Sequence, residues 1–204
     1  MYIIGITGGT GAGKTLALSS LKELGALTLD CDKIYHDLLI DNADMKSEIE
    51  MYFSGTVTTD GKVDRKKLRE IVWESPSSLE KLNEITHKYV VDDIKNRIEL
   101  FGEKGGKIVA IDAIALIESG ISEKCNIVVG IISEKSNRIA RITKRDNISE
   151  TEAQARINAQ QPDGYYEKNC HHIIENDFVS SAEFYKKCKE YFSDLITNNC
   201  ESCR

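Results

Sequence analysis

A glycine-rich segment close to the N-terminus constrains the fold more than any other feature of the sequence. Residues 8–15 form a complete G-x-x-x-x-G-K-[ST] motif. A short apolar strand is predicted before the motif, at residues 2–7, and a helix after it, from about residue 13 to residue 24. This context is the one that a phosphate-binding loop requires, because the helix N-terminus must point its N–H groups at the anion. The motif therefore predicts a P-loop fold that binds ATP or GTP.

Each position of the motif has an expected role. Glycines let the backbone wrap a polyphosphate, Lys14 is expected to reach the β- and γ-phosphates, and the Thr15 hydroxyl is expected to hold Mg²⁺. A glycine-rich turn with an incidental lysine is the alternative, and the completeness of the motif disfavours it. The nucleotide-binding residues predicted in this segment are Gly8, Gly9, Thr10, Gly11, Ala12, Gly13, Lys14, Thr15 and Leu16.

The apolar periodicity alternates between short β-rich runs and longer helical stretches, which is typical of βα units around a parallel sheet. Five strands are predicted, at residues 2–7, 26–30, 107–112, 126–132 and 172–175. Further helices are predicted at residues 134–144, 149–161 and 181–197, and a capping box of Ser149 and Glu152 opens the second of them. The predicted class is a three-layer α/β P-loop nucleoside-triphosphate hydrolase fold with a five-stranded parallel sheet, a helical substrate-binding insertion and a helical lid.

The helical stretch after the second strand is too long for a simple crossover. Asp64 is predicted to cap a helix that ends near Trp73, and Ser75 with Pro76 to begin a long one. We predict one domain over residues 1–204, with a nucleotide-binding core at 1–32, 107–133 and 162–204, a helical insertion at 33–106 and a lid at 134–161. Basic residues recur in the lid at near-helical spacing, a pattern that is also typical of a solvated face: Arg138, Arg141, Lys144, Arg145 and Arg156.

Composition excludes several classes of protein. The formal net charge is -6 at pH 7, so a broad basic face for nucleic acid is not expected. The longest apolar stretch, residues 108–117, contains Asp112 and is about half of the roughly 20 residues that a membrane helix needs.

With no secretion signal visible, a cytoplasmic protein with reduced thiols is predicted. Cys200 and Cys203 form a C-x-x-C without a second ligand pair, which disfavours a zinc site.

Carboxylates follow two of the predicted strands. Asp30 and Asp32 end the second strand, at the edge of the sheet where open α/β folds bind ligands. Because side chains alternate along a strand, the two are predicted to share a face. Asp32 is the candidate base that orients the acceptor hydroxyl and takes its proton, and a helix cap is the alternative. Asp112 ends the third strand and is a candidate to support Mg²⁺ through water, with a carboxylate bonded to backbone amides as the alternative.

These residues resemble the dephospho-CoA kinase family over nearly the whole chain. Residues 6–15 resemble its particular loop, residues 29–34 its D-x-D segment, and residues 61–69 its G-x-[LIV]-[DN]-R-x-x-L element. His87 stands where the family has a histidine before a proline, and residues 112–118 resemble its D-[IV]-P-L-L-[FY]-E stretch. Arg141 with Arg145 resembles the R-x-x-x-R-D of the lid, residues 159–160 its A-Q, and residues 174–176 its ending with asparagine.

The resemblance implies transfer of the ATP γ-phosphoryl group to the ribose 3′-hydroxyl of dephospho-CoA, giving CoA and ADP. It implies a CoA-binding role for the insertion, with ATP and dephospho-CoA as partners. Mg²⁺ is the cofactor expected from the loop, and a monomer or weak homo-oligomer is predicted. Catalytic roles are implied for Asp32 as base, for Lys14 as stabiliser of the transferring charge, and for Arg141 as a lid arginine that closes over the phosphates. Further nucleotide contacts are implied for Arg141, Arg145 and Asn176, and acceptor contacts for Asp32, Arg65, His87, Asp112 and Glu118. Without the resemblance, Arg65 would be interpreted as a surface ion pair and His87 as a satisfied helix histidine.

The chain departs from the family pattern on the acceptor side. Lys88 replaces the proline after the histidine, Ile114 replaces the proline of P-L-L, and Ala115 replaces a leucine. Losing two rigid residues can move the groups around them. Two alternatives stay open: another P-loop kinase that acts on nucleosides or nucleoside monophosphates, and an NTP-binding regulator that has lost catalysis. Retention of the loop residues, of Asp32 and of the basic lid favours an active enzyme.

Overall fold

One parallel sheet of five strands forms the centre of the fold. A computed structural model describes residues 1–178 and 180–199. Its strands are β1 (Tyr2–Thr7), β2 (Leu27–Asp30), β3 (Ile108–Asp112), β4 (Ile127–Ile132) and β5 (His172–Glu175). They lie in the order β2-β3-β1-β4-β5. All five predicted strands are present, each with bounds within one residue of the prediction, and the predicted three-layer α/β fold class is confirmed.

Helices connect the strands and follow the sequence signals closely. They are α1 (Lys14–Glu23), α2 (Cys31–Asp41), α3 (Ala43–Tyr52), α4 (Arg65–Glu74), α5 (Pro76–Glu103), α6 (Lys135–Asp146), α7 (Glu150–Asn158), α8 (Asp163–Asn169) and α9 (Ser181–Asn199). The capping box of Ser149 and Glu152 is present at the start of α7. Helix α8 was not predicted, because it begins with Asp163 and Gly164 after a proline, a sequence typical of a turn. Across the described ranges, no helix combines the length and apolar character needed to cross a bilayer.

The central strands are buried on both faces, as parallel strands covered by helices must be. All six residues of β4 are buried. Helix α9 packs over the sheet together with α1, and its apolar stripe is part of the core. The largest fully buried side chains of this core are Ile4, Ile6, Leu21, Ile131, Phe184 and Phe192.

The chain forms two compact units. The first comprises Met1–Leu29 and the described residues from Phe101 onward, and the second comprises Asp30–Leu100. The second unit is helical and has its own apolar core, formed by Leu39, Met45, Ile49, Phe53, Leu68, Leu82 and Ile85. The functional division into core, insertion and lid stays a prediction.

The cysteines in the described part of the chain are thiols: Cys31, Cys125, Cys170 and Cys188. Burial raises the pKa of Cys125 and of Cys170 to about 11, which favours the thiol over the thiolate at neutral pH. Cys200 and Cys203, the pair considered for zinc, lie outside the described residues.

Candidate active site

The glycine-rich segment forms a tight loop between β1 and α1. Gly8 and Gly13 have φ angles of 140° and 117°, a region that residues with a Cβ rarely adopt. A Cβ at Gly8 would lie 2.1 Å from the carbonyl oxygen of Ile131, and a Cβ at Gly13 would lie 2.3 Å from Asn176 Nδ2. Both positions therefore need glycine for their backbone conformation and for space.

The N-terminus of α1 lies at the end of this loop. Helix α1 begins at Lys14, so the positive end of its dipole faces the loop. The Lys14 side chain folds back, and its Nζ donates to the carbonyl oxygen of Gly8 at 2.8 Å. The Leu16 N–H, predicted to join the phosphate cradle, donates to the carbonyl oxygen of Gly13 at 3.0 Å and closes the first helical turn. The loop therefore combines a helix N-terminus and an ammonium group, and both attract anions.

Oxygen donors suited to Mg²⁺ lie near the same end of β1. Thr15 is the second residue of α1. Asp112 ends β3, and the strand register pairs it with Ile6 of β1. Because Mg²⁺ prefers carboxylate, hydroxyl and water oxygens, this donor chemistry fits a magnesium ion.

Arg141 and Asn176 support the loop from the side of α6 and β5. Arg141 Nη1 donates to the carbonyl oxygen of Gly11 at 3.2 Å and to Ser133 Oγ at 2.9 Å. Its Nη2 donates to the carbonyl oxygen of Asn176 at 3.0 Å, and Asn176 Nδ2 donates to the carbonyl oxygen of Ala12 at 2.6 Å. Burial lowers the pKa of the Arg141 guanidinium from its ordinary value, although the group stays cationic. Both predicted nucleotide residues therefore contact the loop backbone.

Two residues to which the sequence analysis gave no site role also contact the loop. Arg138 Nε donates to the carbonyl oxygen of Thr10 at 2.9 Å. Gln160 Oε1 accepts from the Thr10 N–H at 2.8 Å, and Gln160 Nε2 donates to Thr10 Oγ1 at 2.7 Å. The spacing of Arg138 and Arg141 on one helix, three residues apart, was the available signal for the first, because such residues share a face.

The segment after β2 differs from its prediction. The strand ends at Asp30, whose side chain accepts from the Lys33 N–H at 2.9 Å and so caps α2. Helix α2 therefore begins at Cys31, and the prediction that Asp30 and Asp32 share a strand face is wrong. Asp32 lies exposed in the first turn of α2, and the cap role considered for it belongs to Asp30. The Cys31 side chain between them is buried.

Two other residues of the second unit predicted to contact the acceptor, Arg65 and His87, are exposed to solvent. Arg65 is the first residue of α4, and the Asp64 carboxylate caps that helix as predicted. Arg65 Nη2 lies 3.3 Å from His36 Nε2. His87 lies on an exposed face of α5. The acceptor contacts of Arg65 and His87 stay predictions.

Arg145 is held by its neighbour in the sequence. Its Nε donates to Asp146 Oδ1 at 2.7 Å and its Nη2 to Asp146 Oδ2 at 3.0 Å. Arg156 Nη1 donates to the same carboxylate at 2.7 Å. The Arg145 hydrogen bond is the main reason why the pKa of Asp146 is lowered. The contact of Arg145 with nucleotide stays a prediction. To make that contact, Arg145 would give up its hydrogen bonds to Asp146 and donate to a phosphate instead.

Comparison with known proteins places this chain in a family. The family model described as dephospho-CoA kinase matches residues 2–182. The chain belongs to the dephospho-CoA kinase family. The dephospho-CoA kinase of Dehalococcoides mccartyi is 38% identical over 178 residues, which cover 87% of this chain and 89% of the relative. That of Fusobacterium nucleatum is 34% identical over 196 residues, covering 96% and 99%. The solved structure of dephospho-CoA kinase from Campylobacter jejuni matches with a TM-score of 0.69 and 27% identity, covering 97% of this chain and 98% of that one.

The first departure from the dephospho-CoA kinase pattern lies in α5. This helix runs without interruption through Lys88, whereas an interior proline would remove a backbone hydrogen bond and kink a helix. Lys88 Nζ donates to Glu48 Oε1 at 2.6 Å, and the hydroxyl of Tyr89 donates to Glu48 Oε2 at 2.9 Å. Lysine at this position therefore ties α5 to α3.

The second departure from the dephospho-CoA kinase pattern lies after β3, beside Glu118. The carbonyl oxygen of Ile114 accepts from Thr7 Oγ1 at 3.1 Å, which fixes this backbone without a proline. Ile114, Ala115 and Glu118 line an open cavity of about 350 Å³ that also includes Gln160 and Tyr166. A volume of roughly 300 Å³ or more is typical of pockets for small molecules.

Proposed function

We propose that the protein is an ATP-dependent kinase that transfers the γ-phosphoryl group to the ribose 3′-hydroxyl of dephospho-CoA, giving CoA and ADP. The observation that carries this proposal is the intact phosphate-binding loop, with Lys14 Nζ held across it, in a chain that matches the family model over residues 2–182. The cytoplasmic location, the monomeric or weakly oligomeric state and the lack of a nucleic-acid partner stay predictions from the sequence.

The nucleotide side of the proposal rests on groups of the first unit. Residues 8–15 and the N-terminus of α1 would bind the β- and γ-phosphates of ATP, and Lys14 would stabilise the charge on the transferring group. Thr15 would hold Mg²⁺ directly and Asp112 would hold it through water. The bound ion would supply charge neutralisation at the phosphate oxygens. Arg141 fits a role over the phosphates, because a planar guanidinium can donate two parallel hydrogen bonds.

The acceptor side rests on Asp32, with Arg65, His87 and Glu118 as binding residues. In open α/β sheets, ligands bind beyond the carboxyl ends of the strands, and Asp32 lies two residues beyond the end of β2. An exposed carboxylate there can orient the 3′-hydroxyl and accept its proton as the phosphoryl group is transferred. The proton then resides on the Asp32 carboxyl until it passes to water.

Coupled ADP release with Mg-ATP tests the proposed reaction. Dephospho-CoA, adenosine, AMP, CMP and UMP are compared with no acceptor, and turnover is expected with dephospho-CoA alone. That result would also show that Lys88 and Ile114 are compatible with activity. Turnover with a nucleoside or a nucleoside monophosphate would replace the proposed acceptor and keep the P-loop kinase assignment. Folded protein that binds ATP without acceptor-dependent ADP release would instead be a regulator.

Substitution of the lid arginine separates transition-state from ground-state binding. Arg141→Ala is expected to lower kcat by about 10², the typical cost of one preorganised donor, and to raise KM for ATP less. Arg141→Lys should recover little, because an ammonium group lacks the planar fork. Steady-state kinetics with dephospho-CoA measures both constants, and Lys144→Ala, exposed on the same helix, is the control. A change confined to KM would make Arg141 a ground-state binder.

A further inference from the structure

All three polar groups of Thr10 are hydrogen-bonded to side chains that lie far away in the sequence. The N–H donates to Gln160 Oε1 at 2.8 Å, Oγ1 accepts from Gln160 Nε2 at 2.7 Å, and the carbonyl oxygen accepts from Arg138 Nε at 2.9 Å. We call this set of Thr10, Arg138 and Gln160 the Thr10 clamp. It fixes one residue of the phosphate-binding loop in position and in orientation.

The Thr10 clamp contains a buried charge, the guanidinium of Arg138, whose donors must all find acceptors. Arg138 is only 3% exposed, and a buried guanidinium is costly unless its donors are satisfied. Its Nη1 donates to Asp163 Oδ1 and its Nη2 to Gln160 Oε1, each at 3.3 Å. A Cβ at Gly9 would lie 2.1 Å from Arg138 Nη2. The guanidinium thus packs directly on the loop backbone, and its partners hold it there.

The two side chains of the Thr10 clamp come from two helices that pack against each other, α6 and α7. Arg138 lies in the first turns of α6, and Gln160 lies just beyond the end of α7. Between them, Ile142, Ala153 and Ile157 form a buried cluster. Because Arg138 of α6 and Gln160 beyond α7 both bond to Thr10, displacement of either helix would disturb that residue.

We infer that Arg138 and Gln160 are positioning residues, which set the shape of the phosphate-binding loop before the nucleotide arrives. A loop already ordered in its binding conformation loses less conformational freedom on binding, and its affinity is higher for that reason. The inference rests on the proposed ATP site. It assigns to the Thr10 clamp a contribution to nucleotide affinity that acts through Thr10 rather than through a phosphate contact of its own.

Gln160→Ala tests the Thr10 clamp by removing two hydrogen bonds from Thr10. Mg-ADP affinity, measured by isothermal titration calorimetry, is expected to fall about 5- to 30-fold, the effect that two neutral hydrogen bonds imply. Hydrogen exchange of the Thr10 amide in the protein without nucleotide should become faster, since that N–H loses its acceptor. Gln154→Ala is the matched control, because Gln154 is a glutamine of α7 that donates to Asn158. It should leave both readouts unchanged.

A second variant and a stability measurement separate the outcomes. Thr10→Val keeps the side-chain volume and removes only the hydroxyl, so it serves if Gln160→Ala does not fold. Thr10→Val should lose less affinity for Mg-ADP than Gln160→Ala. In the double variant the two losses should be less than additive, because both substitutions remove the hydrogen bond between Thr10 Oγ1 and Gln160. A Gln160→Ala protein that unfolds at lower urea but binds Mg-ADP like wild type would overturn the inference alone. Failure of the wild-type protein to bind Mg-ADP would overturn the proposed function and the inference with it.

Discussion

Lys14→Ala is expected to abolish nearly all phosphoryl transfer, with kcat about 10³-fold below wild type, the upper range for loss of one preorganised group. Lys14 Nζ bonds to the carbonyl oxygen of Gly8, which places its charge over the loop that would cradle the phosphates. The charge that builds up on the transferring group then has no ammonium partner in the variant. Alanine has the highest helix propensity, so α1 should still begin at this position. ADP release with Mg-ATP and dephospho-CoA measures the effect.

Lys22→Ala is the matched control for this experiment. Lys22 is an exposed lysine in the last turn of the same helix, so its removal changes the net charge equally without touching the loop. Its interaction with the helix dipole is worth about 0.3–1 kcal/mol, too little to unfold the protein. Equal turnover by Lys14→Ala and Lys22→Ala would refute the phosphate-loop mechanism. Equal unfolding midpoints in urea would show that a loss confined to Lys14→Ala is chemical rather than structural.

The sheet and the phosphate-binding loop could be predicted because their signals are local. The motif of residues 8–15 lies between a strand and a helix that each show their own periodicity. The apolar run of β4 similarly indicates a strand buried on both faces. Ser149 and Glu152 mark the start of α7 through contacts only three residues apart. In each case the residues that determine the structure are neighbours in the sequence.

The parts that were missed depend on distant contacts or on competing local patterns. Arg138 and Gln160 meet Thr10 across 128 and 150 residues, and no periodicity connects positions so far apart. The sequence around Asp30 is compatible with a longer strand and with the start of a helix. The Asp30 carboxylate accepts from the Lys33 N–H, and this hydrogen bond favours the helix. The phosphate-binding loop can therefore be predicted from local sequence. The side chains that hold the loop in its conformation cannot, because their contacts depend on the tertiary fold.

Asp32→Asn is expected to lower kcat by about 10²- to 10⁴-fold, the usual contribution of a general base. Asparagine has nearly the same size and can still accept a hydrogen bond from the acceptor hydroxyl, but it cannot take the proton. Affinity for Mg-ATP should change little, because the proposed nucleotide contacts lie in residues 8–16, in α6 and at Asn176. Steady-state kinetics with dephospho-CoA gives kcat, and calorimetric titration with Mg-ATP gives the affinity.

The structure shows that Asp32→Asn can test the proposed base without removing the cap of α2. Asp30 rather than Asp32 caps α2, so the substitution leaves the cap in place and removes one exposed charge from the first turn, worth about 0.3–1 kcal/mol. Asp41→Asn, an exposed carboxylate at the other end of the same helix, controls for charge and should keep wild-type turnover. Near-wild-type kcat in Asp32→Asn would remove the base from the mechanism. Transfer would then rest on positioning and charge neutralisation by the loop, the route that the Lys14→Ala experiment measures independently.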